Sequence, residues 1–205
     1  MLALLALGLG LACARLPNLP DSLQPGTVEG RVLSGVGAAP GAWVVVYLDG
    51  PPPGGSRVAA GPAPALRSRN GAFEPAVVAV SAGQTVTLAS DDALHHRFFS
   101  SSRPQGFDPI DVPSGESRKL RLSLPSVVRV YCSLHPQEQG TIVVTPSRYF
   151  AALRAPGHYA LRDVPPGEYA LHAWSESQID EARPVRVSRG ESTIVEIRLG
   201  PGRDS

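Results

Sequence analysis

Cys132 and His135 stand three residues apart in Y-C-S-L-H-P-Q-E-Q-G, residues 131 to 140. A thiolate and an imidazole in one short loop are donors that suit copper or zinc. The spacing is a weak signal alone, because a buried cysteine is also a small inert hydrophobe. A second histidine at the end of another strand would complete the set of two His and one Cys found in trigonal electron-transfer copper sites. The segment S-D-D-A-L-H-H-R-F-F-S at 90 to 100 offers His95 and His96. The other cysteine, Cys13, lies in an apolar leader, so its lipidation or removal leaves Cys132 without a disulfide partner in an oxidising compartment.

Strands must mount these side chains. V-V-R-V-Y-C at 127 to 132 ends on Cys132, T-I-V-V at 141 to 144 follows the loop, and H-R-F-F-S at 96 to 100 begins on His96. Runs F-E-P-A-V-V-A-V at 73 to 80, T-V-T-L at 85 to 88 and R-K-L-R-L-S-L at 118 to 124 read as further strands of this block. Ahead of it lie T-V-E-G-R-V-L, a turn at G-A-A-P-G and A-W-V-V-V-Y-L at 42 to 48; P-P-P-G-G-S at 51 to 56 reads as a loop or linker. Behind it lie G-H-Y-A-L-R-D-V-P-P-G-E-Y-A-L-H-A-W at 157 to 174 and P-V-R-V-S-R-G-E-S-T-I-V-E-I-R-L at 184 to 199. No ten residues repeat their apolar positions at the helical period, and glycine and proline number 21 each among 205 residues. The pattern predicts an all-β protein of antiparallel sandwiches. A net charge of +1 with no block of like charge excludes a nucleic-acid partner and an anionic membrane surface.

The opening M-L-A-L-L-A-L-G-L-G-L-A-C-A-R is too short to span a bilayer and reads as a secretory signal over residues 1–13. Leu11-Ala12-Cys13 resembles a bacterial lipobox, with Gly10 where a leucine is usual, so lipidation of Cys13 and ordinary cleavage both stay open. The expectation is an exported protein, periplasmic or a membrane-anchored lipoprotein, touching the membrane only through a lipid on Cys13. Residues 14–26 read as a tether.

Residues 70 to 145 resemble the cupredoxins, the plastocyanin-like copper proteins. Their upstream ligand lies in a phrase like N-x-D-x-x-x-H-N-V-F-S; placing its aspartate at Asp92 and its serine at Ser100 puts the ligand at His96. S-G-E-S-R-K-L at 114 to 120 and V-V-R-V-Y-C-S-L-H-P at 127 to 136 are similar to the phrases G-E-S-x-x-V-x-F and V-x-V-F-C-x-I-H-P-x-M of the exported, methylamine-utilisation-protein-like subgroup. The resemblance implies one mononuclear copper held by His96, Cys132 and His135. The subgroup's axial methionine is replaced by Glu138. A carboxylate is harder than a thioether and favours Cu(II), which implies a lowered potential and a spectrum unlike ordinary blue copper, akin to the red-copper type. Gln137, Gln139, or no axial ligand with Glu138 in solvent are the other readings. Arg97 and Ser90 stand where asparagines are usual. His95 should face away from His96 by strand alternation, and Asp91 and Asp92 read as turn residues capping backbone groups.

The tail resembles carboxypeptidase-regulatory-like (Cna-B-type) sandwiches, which read G-x-F-x-L-x-x-V-P-P-G-x-Y-x-L, and G-R-V-L-S-G-V-G-A-A-P-G-A-W-V-V-V-Y-L at 30 to 48 resembles their beginning. The domains expected are therefore a regulatory-like sandwich from 27–50 and 147–200, split by a cupredoxin Greek-key sandwich at 65–146. The other arrangement is one extended sandwich in which 27 to 48 pair with the cupredoxin strands.

The leading reading of function is a copper-binding one-electron carrier with an unknown redox partner protein. A copper-binding or storage module without a redox partner, and a structural sandwich with a degenerate site, are the alternatives. An enzyme is not expected, although an open copper position could support redox chemistry.

Overall fold

A computed structural model describes residues 24–34, 42–50, 63–176 and 182–200. The expected leader, most of the tether, the G-A-A-P-G turn and the P-P-P-G-G-S segment lie outside the described residues. The strands are β1 (Gly26–Leu33), β2 (Val44–Asp49), β3 (Ala65–Arg69), β4 (Ala72–Phe73), β5 (Val77–Ser81), β6 (Thr85–Ser90), β7 (His96–Ser100) and β8 (Phe107–Val112). They continue as β9 (Ser117–Arg121), β10 (Ser126–Cys132), β11 (Gln139–Thr145), β12 (Phe150–Leu153), β13 (His158–Val164), β14 (Gly167–Ser175), β15 (Arg183–Val187) and β16 (Ser192–Arg198). The fold is all-β, with no helix among the described residues.

The strands form four sheets: β5-β11-β10-β7-β8, β4-β3-β6-β9, β13-β1-β16 and β12-β2-β14-β15. The first two enclose a core that includes Leu66, Phe73, Val86, Leu88, Phe98 and Val130. The other two enclose a second core that includes Val28, Val46, Leu48, Leu161, Leu171 and Ile197. Both β1 and β2 pair with strands of the tail: β1 with β13 and β16, β2 with β12 and β14.

Three strands are apolar on consecutive residues rather than alternate ones because both their faces are covered. Val78 and Val80 of β5 and Ile142 and Val144 of β11 face the first core. Val77, Ala79 and Val143 meet Val45 of β2 in a third cluster, flanked by Trp43, Tyr47, Phe150 and Trp174. Val44, Val46 and Leu48 turn the opposite face of β2 into the second core.

Two local readings differ from the sequence expectation. Residues 73 to 80 are two strands, not one: β4 ends at Phe73 and β5 starts at Val77. Pro75 between them has no N–H to give a ladder. The sheets are also mixed, since β1 with β16, β3 with β6 and β5 with β11 run parallel. Each parallel pair joins strands distant in sequence, where no hairpin turn imposes the antiparallel sense.

Candidate metal centre

The site lies where β7 begins and β10 ends. Alternation along β7 turns His96, Phe98 and Ser100 inward and leaves Arg97 outside. The same rule turns Val128, Val130 and Cys132 of β10 inward. Antiparallel pairing sets Cys132 opposite Phe98, one inward step from His96. The loop from Cys132 is tied at both ends: Ser133 N donates to Arg97 O at 2.9 Å, Glu138 N to His135 O at 2.9 Å, and Cys132 N to Glu138 O at 3.3 Å. Those bonds fold Cys132, His135 and Glu138 toward His96.

One ligand atom from each of His96, Cys132, His135 and Glu138 lies within 4.8 Å of all the others. Cys132 Sγ is 3.8 Å from His96 Nδ1 and 3.5 Å from His135 Nδ1. The two Nδ1 atoms are 3.2 Å apart. Glu138 Oε2 lies 2.9 Å from His96 Nδ1 and 3.7 Å from His135 Nδ1. Donors bound at about 2.0–2.3 Å to one ion are separated by about 3–4 Å, so these spacings match a shared cation. His96 and Glu138 are fully buried, whereas the His135 side chain is 23% exposed.

The partners of His96 decide which nitrogen faces the cluster. Its Nε2 lies 3.0 Å from Asp92 Oδ1 and 3.3 Å from Ser68 Oγ. A neutral imidazole carries one N–H; donated from Nε2 to Asp92, it leaves the Nδ1 lone pair among Cys132, His135 and Glu138. Sulfur, two ring nitrogens and a carboxylate oxygen then share one small volume, an arrangement that a cation between them suits. The residues present therefore fit a soft or borderline ion such as copper or zinc.

Asp92 is more than the turn cap read from the sequence. It does cap, accepting from Leu94 N at 2.9 Å and Asn70 N at 3.1 Å. Burial acts to raise its carboxyl, but the hydrogen bonds from His96, Leu94 and Asn70 outweigh it and hold the group below its ordinary value. Ser68, on β3, was not among the sequence candidates. Its hydroxyl is fully buried and donates to Glu138 Oε1. The available signal was a polar residue on an inward phase: Leu66 and Ser68 are buried while Arg67 and Arg69 are exposed.

The other sequence candidates lie outside the cluster. His95 faces outward and pairs with Asp111 at 2.9 Å, as does Arg97 at 2.9 Å. Gln137 and Gln139 are exposed, whereas Glu138 is not in solvent. Beneath the site the His96 ring stacks on Phe98 at 5.3 Å, and Phe98 meets Phe73 in a tilted contact at 5.0 Å. Gly140 makes room for the Phe73 ring, since a Cβ there would meet it at 2.8 Å.

No family model matches the sequence, and no curated protein matches it significantly. Among solved structures, an oxidised amicyanin variant is 18% identical with a TM-score of 0.38, covering 48% of this chain and 97% of that one. Amicyanin from Paracoccus versutus is 15% identical with a TM-score of 0.37, covering 40% of this chain and 80% of that one. A purple cupredoxin from Nitrosopumilus maritimus is 21% identical with a TM-score of 0.34, covering 40% and 99%.

Proposed function

We propose that the protein is an exported copper-binding electron carrier whose donors are His96, Cys132, His135 and Glu138. The observation that carries the reading is the convergence of one Sγ, two Nδ1 and one carboxylate oxygen within 4.8 Å. Copper held there supplies a one-electron redox couple. The chain's own contribution is rigidity: His96 is fixed by Asp92 and the Phe98 ring, Glu138 by Ser68, and Cys132 by the β7–β10 ladder. Donors held in this way keep their positions when charge changes, which lowers the reorganisation that each transfer costs. A carboxylate in place of a thioether favours Cu(II) over Cu(I) and sets the potential low.

His135 is the donor closest to solvent and is the natural point of electron entry from a partner protein. Leu134 beside it and Leu94 before His96 are 48% and 43% exposed, offering apolar surface for such a partner. We read residues 65–146 as the redox domain and 27–50 with 147–200 as a second domain interrupted by it; the pairing of β1 and β2 with tail strands supports this division. Export, with or without a lipid on Cys13, agrees with a lone cysteine left free for metal.

Voltammetry of the copper-loaded protein tests the carrier reading. Reversible one-electron cycling, lost in Cys132→Ala, is expected. Irreversible reduction with release of copper would instead indicate a binding module without a redox partner.

A further inference from the structure

We infer that Ser68 is a positioning residue that confines Glu138 to one metal-facing oxygen and weakens that oxygen as a donor, an inference that rests on the copper reading above. Ser68 comes from the sheet opposite the metal loop: β3 belongs to β4-β3-β6-β9, whereas His96, Cys132 and Glu138 lie on or beside β7, β10 and β11. Its hydroxyl has one proton, and that proton goes to Glu138 Oε1. Its oxygen lies 3.3 Å from His96 Nε2, where it can share the N–H that Asp92 Oδ1 accepts at 3.0 Å. The two carboxylate oxygens of Glu138 therefore have different tasks: Oε1 is held by Ser68, and Oε2 is turned toward His96 Nδ1 at 2.9 Å.

A carboxylate can bind a metal through one oxygen or both. With Oε1 committed to a hydroxyl, Glu138 can present only Oε2, and the donated hydrogen bond draws charge out of the carboxylate. Both effects restrain the preference of Glu138 for the more highly charged Cu(II). Removal of the hydroxyl frees Oε1, strengthens the carboxylate as a donor and lowers the reduction potential.

The test compares the full chain loaded with Cu(II), Ser68→Ala, Ser68→Thr, Glu138→Gln and the double variant Ser68→Ala with Glu138→Gln. The readouts are the thiolate-to-copper absorption, the EPR hyperfine splitting and the potential. Ser68→Ala is expected to keep the thiolate band, change the hyperfine splitting and raise the ratio of Cu(II) to Cu(I) affinity about tenfold, which lowers the potential by about 59 mV. Ser68→Thr, which retains a hydroxyl, should restore the parent values. In the Glu138→Gln background the Ser68→Ala shift should vanish, because it acts through the carboxylate. A parent thiolate band with an unmoved Ser68→Ala potential, or an equal shift in both backgrounds, overturns the role of Ser68 alone. Absence of the band from the parent protein overturns the copper reading and this inference together.

Discussion

Replacing Asp92 with asparagine changes one atom and should disturb both folding and metal binding. Asp92 Oδ1 accepts from Leu94 N at 2.9 Å and from His96 Nε2 at 3.0 Å, and Oδ2 accepts from Asn70 N at 3.1 Å. An amide has one acceptor oxygen and one NH₂. With its oxygen toward Leu94 and His96, the NH₂ meets the Asn70 N–H; turned over, it loses the other two bonds. Either way a hydrogen bond to a charged acceptor becomes a contact between donors, at a side chain only 9% exposed. Loss of one such bond costs about 1.5–3 kcal/mol, measurable as a lower denaturation midpoint of the metal-free protein. Loss of the group that orients His96 should weaken copper binding about 10–100-fold in a chelator competition. Asp91→Asn is the control: its partners are the half-exposed Arg67 and Arg69, and such pairs contribute about 0–1 kcal/mol. An Asp92→Asn protein within about 0.5 kcal/mol of the parent, with copper affinity unchanged, would refute the assignment of Asp92 as the anchor of His96.

Further outcomes concern Glu138, the packing beneath the site and the second core. Glu138→Met should shift the thiolate-to-copper band and raise the potential, while Gln139→Met, at an exposed position, should leave both unmoved. Gly140→Ala should destabilise the protein by about 1–3 kcal/mol in chemical denaturation, since the new methyl collides with the rigid Phe73 ring. Tyr159, which donates to Val195 O at 2.8 Å, is pushed by burial from 10.0 up to about 12, against an opposing charge from Arg183. The folded state therefore favours the neutral phenol. That stabilisation is complete below pH 10 and is lost as pH rises toward 12, giving a late phenolate absorbance step that Tyr159→Phe removes.

The clustered residues are more visible in the sequence than the groups that support them. Cys132 and His135 share one short loop, the resemblance of the phrase from Ser90 to Ser100 to a cupredoxin one picks out His96, and alternation then turns His95 to the opposite face. Glu138 was legible as an unusual letter, but its direction was not: a carboxylate in a loop ordinarily faces water, and it turns inward here where the Ser68 hydroxyl donates to it. Ser68 lies 70 positions away on another sheet, a relation that local pattern does not contain. Asp92 looked like a turn cap because it is one; its second task depends on the histidine four residues later meeting the same oxygen. Short strands such as β4 and β12 have too few residues to show a period. Likewise β8 turns Phe107, Ile110 and Val112 toward the first core, but Asp108, Pro109 and Asp111 break up the pattern that would betray it. The parallel pairings follow from strands meeting across the fold, beyond the reach of turn chemistry.

The most direct test is a Cu(II) titration of the metal-free protein followed by optical and EPR spectroscopy, with Cys132→Ala in parallel. A single equivalent of copper should bring up an intense thiolate-to-copper charge-transfer band that saturates at one ion per chain and is absent from the Cys132→Ala protein. Copper that binds without that band, or a band that survives the loss of Cys132, would contradict the assignment of His96, Cys132, His135 and Glu138 as a copper centre.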